Sequence, residues 1–201
     1  MRLVLATRNA HKARELTLLL GGHDVAALPD EVVPARETGE TFAANALLKA
    51  RAAADALGVA VIADDSGIVA VALGGRPGVR SARFAGPDAG DAENLNLLMA
   101  QAPAGSALAY VCALVFLDPR DGTEMVWEGR CTGVLADVAR GTQGFGYDPA
   151  FVPDDIADGR TMAELSNAEK AQISHRGRAA RQLAAWLDTR DARPAAATPR
   201  G

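Results

Sequence analysis

Short apolar runs alternate along this chain with longer stretches of helical periodicity. Apolar runs without polar alternation at residues 2–6, 59–63 and 107–117 predict strands covered on both faces of a sheet. A turn at 118–122 joins the last of these runs to another strand-like run at 123–135, which predicts an antiparallel pair. Helical patterns occur at residues 10–20, 41–57, 88–101 and 166–187. The pattern therefore predicts an α/β protein with a mixed sheet flanked by helices.

Capping residues support the helix boundaries. Asn9 and Thr41 precede two of the helical patterns, and Gly58 follows the second. Ser166 with Glu169 has the spacing of a capping box and predicts the start of the last helix. These signals place helix starts directly after polar loops, where unpaired backbone N–H groups collect.

Composition narrows the class of protein. The 201 residues are 49% hydrophobic and 23% charged, which is typical of a globular protein with a substantial core. A net charge of −4 argues against general nucleic-acid binding. No run has the length of a membrane span or the form of a signal peptide, and Cys112 and Cys131 lack metal-ligand spacing. We expect one domain at 1–188, a disordered tail at 189–201, no membrane contact and a cytoplasmic location.

The stretch at residues 59–72 carries the most suggestive chemistry. An apolar run ends in Asp64, Asp65, Ser66 and Gly67 and then resumes. This sequence has two interpretations, a surface turn or a carboxylate pair at the end of a buried strand. Consecutive residues on an extended chain point to opposite faces, so one aspartate could face a cleft while the other supports it. Mg²⁺, a hard cation that prefers carboxylate oxygens, would neutralise such a pair.

Other segments could hold a phosphorylated ligand. The strand, loop and helix start around Thr7–Lys12 form a candidate anion site, although an ordinary loop with an exposed lysine is the alternative. Asn45 and Lys49 share a helix face, which matters only if that face borders the aspartates. The glycine-rich loop at 141–149 carries two aromatic residues that suit a purine base or plug the core. Together the residues favour a metal-dependent enzyme that acts on a phosphorylated small molecule.

Five blocks of sequence also resemble one known family in the same order. The blocks are Leu5-Ala6-Thr7-x-Asn9-x-x-Lys12-x-x-Glu15, Glu37-Thr38-Gly39-x-Thr41-Phe42-x-x-Asn45-Ala46-x-x-Lys49-Ala50, Ala63-Asp64-Asp65-Ser66-Gly67 with Leu73-Gly74-Gly75-x-Pro77-Gly78-x-x-Ser81-Ala82-Arg83, Gly144-Phe145-Gly146-Tyr147-Asp148-Pro149-x-Phe151, and Ala163-Glu164-Leu165 to Lys170 with Ile173-Ser174-His175-Arg176. They resemble the inosine/xanthosine triphosphate pyrophosphatases (dITP/XTP diphosphatases). The blocks span nearly the whole chain apart from the tail.

The resemblance implies an activity and an architecture. The implied reaction is Mg²⁺-dependent hydrolysis of ITP, dITP or XTP to the monophosphate and pyrophosphate, which clears deaminated purines from the nucleotide pool. The implied fold is a two-lobed α/β protein around a mixed sheet, with the nucleotide in the cleft between the lobes. The implied assembly is a homodimer.

The resemblance also implies residue roles. Glu37, Asp64 and Asp65 would bind the metal, and Asp65 would also activate the attacking water. Lys49 would act as a catalytic residue, and with Lys170 it would neutralise the triphosphate. The phosphates would lie against Thr7, Arg8, Asn9, Ala10, His11 and Lys12. The base and sugar would lie against Ser66, Phe145, Gly146, Tyr147, Asp148, His175 and Arg176.

One position departs from the family pattern. Arg8 stands where the family often has glycine, which raises the expectation that Arg8 itself touches the triphosphate. Two other functions remain open. One is a pyrophosphatase for other modified nucleotides, and the other is a non-catalytic sensor of purine nucleotides.

Overall fold

The computed structural model describes residues 1–191. It contains six strands and five α-helices within that range. The strands are β1 (Arg2–Leu5), β2 (Asp24–Ala27), β3 (Val61–Ala70), β4 (Ala107–Asp118), β5 (Thr123–Leu135) and β6 (Phe151–Pro153). The helices are α1 (Ala10–Leu19), α2 (Phe42–Leu57), α3 (Asp91–Gln101), α4 (Asn167–Ile173) and α5 (His175–Asp191).

All six strands belong to one sheet with the order β2-β1-β3-β4-β5-β6. β1 pairs in parallel with β2 and β3, whereas β3, β4, β5 and β6 pair antiparallel along the rest of the sheet. The predicted mixed α/β fold is therefore confirmed. The chain crosses from the parallel part to the antiparallel part at β3, which is the strand that carries the two aspartates.

Helices cover both faces of the sheet. One buried cluster packs α1 and α5 against β1, β3 and β4, and includes Leu16, Ile62, Leu114 and Leu183. A second packs α2 against the opposite face, where Ala50 and Ala54 allow close approach. A third joins the far end of β3 and β4 to α3 and β6 around Ile68 and Leu98. The middle of β3 lies where these three clusters meet.

The structure corrects two boundaries predicted from sequence. The stretch around Asp64 is neither a surface turn nor a strand end, because β3 runs without interruption from Val61 to Ala70. The last helix is also two helices, which separate at Ser174. The Ser174 hydroxyl accepts the Gly177 N–H at 3.1 Å and caps the second helix.

The chain end departs in part from the predicted tail. Helix α5 continues to Asp191, beyond the predicted end at Leu187 and into the segment expected to be disordered. The remainder of the predicted tail, 192–201, lies outside the described residues. Among residues 1–191, no helix combines the length and apolar character needed to cross a bilayer.

Candidate functional site

The centre of the candidate site is Asp65, in the middle of β3. Its side chain points toward helix α2, where Asn45 donates to Oδ2 at 3.1 Å and Lys49 donates to Oδ1 at 3.4 Å. Asn45 and Lys49 lie four residues apart and therefore share one helix face. The condition under which this pair matters is therefore met at Asp65.

Glu37 reaches the same point from an irregular segment. The Lys49 ammonium donates to Glu37 Oε1 at 2.9 Å as well as to Asp65, so the two carboxylates converge on one cation. Arg83 donates to the second Glu37 oxygen at 3.2 Å. The buried Asn45 accepts the Gly39 N–H at 2.8 Å and thereby ties this segment to α2.

The pKa values of these groups shift in different directions. Burial, with a contribution from Glu37, raises the pKa of Asp65 despite the opposing charge of Lys49. Burial would also raise the pKa of Glu37, but Lys49 and Arg83 outweigh it and lower that pKa. Burial opposes the charge of Lys49, yet the nearby carboxylates raise its pKa and keep it protonated. Asp65 is thus the carboxylate of this group with the raised pKa, and it accepts a proton more readily than Glu37.

Asp64 differs from its neighbour and does not join the carboxylate pair. Its fully buried side chain points to the other face of the sheet, where Lys12 lies 3.1 Å away and Arg176 donates at 3.4 Å. Burial would raise its pKa, but Lys12 and Arg176 hold the pKa well below its usual range. Lys12 and Arg176 thus neutralise Asp64 away from the Glu37 and Asp65 pair, and its role as a metal ligand stays a prediction.

The segment from Thr7 to Lys12 starts helix α1 as predicted. Asn9 caps the helix through its side-chain oxygen, which accepts the N–H groups of His11 and Lys12 at 3.0 and 3.1 Å. Two of the backbone donors expected for a phosphate are thus used within the protein. Lys12 stands in the first turn despite the helix dipole, and its partner Asp64 accounts for that position.

Two side chains of this loop make contacts with other segments. The Arg8 guanidinium turns toward residues 28–32 and donates to Leu28 O at 2.7 Å and Pro29 O at 2.6 Å. These protein partners occupy much of the guanidinium, and contact between Arg8 and the triphosphate stays a prediction. The His11 ring stacks on Phe145 with centroids 5.1 Å apart, so its side chain belongs with the aromatic loop.

The aromatic loop is held by a buried carboxylate. Asp148 accepts the Tyr110 hydroxyl at 3.0 Å on one oxygen, and Lys170 at 2.8 Å and the Phe145 N–H at 3.0 Å on the other. Asp91 accepts the Gly146 N–H at 2.9 Å. Gly144 has φ +74°, and a Cβ there would lie 2.0 Å from Asp148, so the turn requires glycine. The loop is therefore fixed on several sides.

Cations and a neutral histidine border this loop. Arg176 is buried, donates to Asp64 and to Ser66 Oγ at 2.8 Å, and pairs with Glu15. His175 stacks on Tyr110 with an interplanar angle of 7°. Burial and nearby cations hold the pKa of His175 well below its usual value, so the ring is neutral. Its Nδ1 atom is buried without a hydrogen-bond partner among the described residues.

These groups share one cleft of about 390 Å³. That volume lies within the range of small-molecule sites. The stacked His11 and Phe145 rings also border a second cavity of about 640 Å³, between α1 and α4. The cleft brings together the predicted site residues Thr7, Arg8, Asn9, His11, Lys12, Glu37, Lys49, Asp65, Ser66, Phe145, Gly146, Tyr147, Asp148, Lys170, His175 and Arg176.

No group of three or more metal-ligating side chains is assembled within residues 1–191. Glu37 and Asp65 nevertheless offer carboxylate oxygens that converge on the Lys49 ammonium. Mg²⁺ is commonly held by one or two carboxylates, with water and substrate phosphates as its remaining ligands. The pair therefore fits a cation that enters with a phosphorylated substrate.

Sequence reasoning assigned no role to several residues that hold the site. Glu15 pairs with both Lys170 and Arg176, and the Ser81 carbonyl accepts the Tyr147 hydroxyl at 2.7 Å. Glu15 lies three positions after Lys12, so both side chains share one face of α1. That spacing was the available signal for Glu15. Nothing local in the sequence indicates that Asp91 meets Gly146.

Comparisons with known proteins find one family and several similar sequences. The sequence model of the Ham1 family matches residues 3–186. A Streptomyces avermitilis protein named dITP/XTP pyrophosphatase is 48% identical over 193 residues, covering 90% of this chain and 94% of that protein.

Solved structures of similar sequence share this fold. A Ham1 protein of Staphylococcus aureus is 37% identical with a TM-score of 0.83, over 94% of this chain and 100% of that one. The structure of a nucleoside-triphosphatase / dITP/XTP pyrophosphatase from Mycobacterium abscessus is 43% identical with a TM-score of 0.73, over 93% of this chain and 99% of that one.

Proposed function

This chain belongs to the Ham1 family, and we propose that it hydrolyses deaminated purine nucleoside triphosphates (ITP, dITP and XTP) to monophosphate and pyrophosphate. The observation that carries the proposal is the convergence of Glu37 and Asp65 on Lys49 inside a cleft lined by further cations. A binding protein without turnover has no need for two carboxylates opposite its phosphate-binding lysines. The family model and the named relatives confirm, at the level of the family, the resemblance found in the sequence.

We propose Mg²⁺ as the cofactor, held by Glu37 and Asp65. When bound, it would neutralise phosphate oxygens and stabilise the charge that develops on the leaving pyrophosphate. Lys49 and Lys12 supply further positive charge from the protein. Both line the cleft, and their partners Glu37, Asp65 and Asp64 keep them in place.

The chemical step requires one proton acceptor. The oxygen of a water molecule attacks the α-phosphorus and forms the new bond, while the bond from that phosphorus to the pyrophosphate oxygen breaks. Asp65 accepts the proton from the water, a role that suits its raised pKa. Asn45 keeps the carboxylate oriented by donating to its other oxygen.

We propose that the groups around Phe145 select the base. Hypoxanthine and xanthine carry an acceptor oxygen at C6, whereas adenine carries an amino group there. Arg176 uses its donors on Asp64, Ser66 and Glu15, and one N–H of Nη1 has no assigned partner within residues 1–191. A donor facing O6 would disfavour adenine, because an unpaired buried polar group costs about 1–3 kcal/mol.

The homodimer and the cytoplasmic location stay predictions. Sedimentation equilibrium would establish the oligomeric state.

The decisive assay measures pyrophosphate release from ITP, dITP, XTP, GTP and ATP with Mg²⁺. We expect fast release from the first three and little from the others. Asp65→Asn should lower kcat by about 10²–10⁴-fold, because it removes the proton acceptor and a metal ligand. Asp55→Asn is the matched control, since Asp55 is an exposed aspartate on α2.

Other results would change the assignment. Equal release from all five nucleotides would contradict the base selectivity but retain the pyrophosphatase. Release from modified pyrimidine triphosphates, assayed under the same conditions, with none from the five purine nucleotides would favour the alternative substrate class. ITP binding without any release would favour the sensor.

A further inference from the structure

Arg8 makes its hydrogen bonds to a single short segment. Its Nη1 donates to Leu28 O at 2.7 Å, and its Nη2 donates to Pro29 O at 2.6 Å and Val32 O at 3.0 Å. Nη1 also lies 3.2 Å from Asp30 Oδ1. One guanidinium thus serves four acceptors within five consecutive residues, an arrangement that the planar fork of arginine makes possible.

That segment has little regular structure to hold it. Between the end of β2 at Ala27 and the start of α2 at Phe42, the chain forms no strand or α-helix. Its start is held by packing of Leu28 and Val32 against α2 and by the hydrogen bond from Val32 N to Pro29 O at 3.1 Å. Its far end is held where Gly39 donates to Asn45. Arg8 therefore supplies most of the polar anchoring at the first end.

The same segment carries Glu37, one of the two carboxylates that meet at Lys49. Pro34 and Ala35 of this segment also line the cleft. Three carbonyls at its first end would depend on water if the guanidinium were removed. Movement of that end would displace Glu37, because no strand or α-helix lies between residue 32 and Glu37.

We propose that Arg8 is a positioning residue that holds residues 28–37 so that Glu37 stays opposite Asp65. It acts on the site through the segment and makes no contact with the triphosphate. The part of this proposal that concerns metal affinity rests on the proposed function. The part that concerns the segment does not.

The test compares the wild type with Arg8→Ala, Arg8→Lys and the control Arg2→Ala. Arg2 forms an exposed ion pair with Asp24 on β2 and lies outside the cleft. The first readout is the rate of tryptic cleavage after the exposed Arg36 in the free protein, which reports local opening of the segment. The second is the Mg²⁺ concentration for half-maximal pyrophosphate release, and the third is KM for ITP at saturating Mg²⁺.

We expect Arg8→Ala to accelerate cleavage after Arg36 by about tenfold and to raise the half-maximal Mg²⁺ concentration by about 10- to 100-fold. KM for ITP should stay within about twofold, since the proposal gives Arg8 no contact with the nucleotide and its guanidinium is engaged by residues 28–32. The cleavage rate and the half-maximal Mg²⁺ concentration of Arg8→Lys should lie between those of the wild type and Arg8→Ala, because one ammonium reaches fewer of the carbonyls. Arg2→Ala should match the wild type in all three readouts.

A higher KM for ITP with unchanged cleavage and unchanged Mg²⁺ dependence would overturn the proposal and return Arg8 to the phosphate site. Unchanged cleavage in Arg8→Ala would overturn it as well. Absence of pyrophosphate release by the wild type would contradict the proposed function instead. The cleavage comparison would still decide whether Arg8 holds the segment.

Discussion

Asp64 and Asp65 are adjacent residues on β3 whose side chains meet different partners. Asp65 faces α2 and has a raised pKa, whereas Asp64 faces Lys12 and Arg176 and has a lowered one. Alternation along a strand explains the opposite directions. The different pKa values follow from the partners on each face. They favour Asp65 as the carboxylate that accepts a proton and Asp64 as the one that stays charged.

His175 gives a prediction at the same scale. Because burial lowers its pKa in the folded protein, the unfolded chain binds this proton more readily as pH falls through about 6.5. The stabilisation is therefore complete above that pH and is lost below it, by about 1.4 kcal/mol for each unit of pKa difference. Urea denaturation from about pH 8 to about pH 5.5 measures the slope.

His175→Gln should flatten this slope even if its stability differs at every pH. His11→Gln is the control and should retain the slope, because His11 is exposed. Equal slopes in all three proteins would show that His175 is not the group responsible.

At the scale of elements, the start of α5 lies directly against β5. Gly129 on β5 allows this approach, since a Cβ there would stand 2.0 Å from the His175 carbonyl oxygen and 2.7 Å from Ala179 N. The start of α5 carries His175 and Arg176, so the contact between Gly129 and α5 also determines where both side chains lie in the cleft. A small residue on a strand thus determines the position of a helix end in the site.

Gly129→Ala should therefore affect stability and binding together. We expect a loss of about 1–3 kcal/mol in the free energy of unfolding, because the helix must shift away from the strand. KM for ITP should rise with the displacement of Arg176. Denaturant titration and steady-state kinetics check the two effects, and Gly22→Ala is the control because nothing lies within 4 Å of its Cβ position. Equal behaviour of both variants would refute the role of Gly129.

The helix ends show which local sequence signals were sufficient to predict a boundary. Asn9, Thr41 and Ser166 each cap the helix that the sequence predicts, and Gly58 ends α2 in a left-handed conformation. The break at Ser174 was missed because the helical pattern continues through it, although a serine cap was present in the sequence. Periodicity reports which face is buried, and it is insensitive to a change in helix direction.

At the scale of the molecule, two groups of ion pairs lie in and beside the cleft, with equal numbers of acidic and basic side chains. The acidic members are Glu15, Glu37, Asp64, Asp65 and Asp148, and the basic members are Lys12, Lys49, Arg83, Lys170 and Arg176. A triphosphate alone would add several negative charges to a balanced and partly buried set. A divalent cation that enters with it offsets much of that excess.

Mg²⁺ and nucleotide should accordingly stabilise the protein cooperatively. A non-hydrolysable α,β-methylene analogue of ITP with Mg²⁺ should raise the free energy of unfolding by about 2.7 kcal/mol at 100 times its Kd. The analogue with EDTA, or Mg²⁺ alone, should give clearly less, and the two separate effects should sum to less than the joint one. Thermal denaturation measures all four conditions, and simple additivity would contradict the coupling.

The sequence by itself determined where most of the helices and strands lie, the caps Asn9, Thr41 and Ser166, and the faces that the elements present, because these depend on neighbours within one or two turns of chain. The tertiary structure alone decided that β3 continues through its carboxylates, that Glu37 meets Asp65 at Lys49, and that Arg8 binds residues 28–32. These contacts depend on sheet order and on how irregular segments return to the sheet. Local sequence pattern carries no direct record of either.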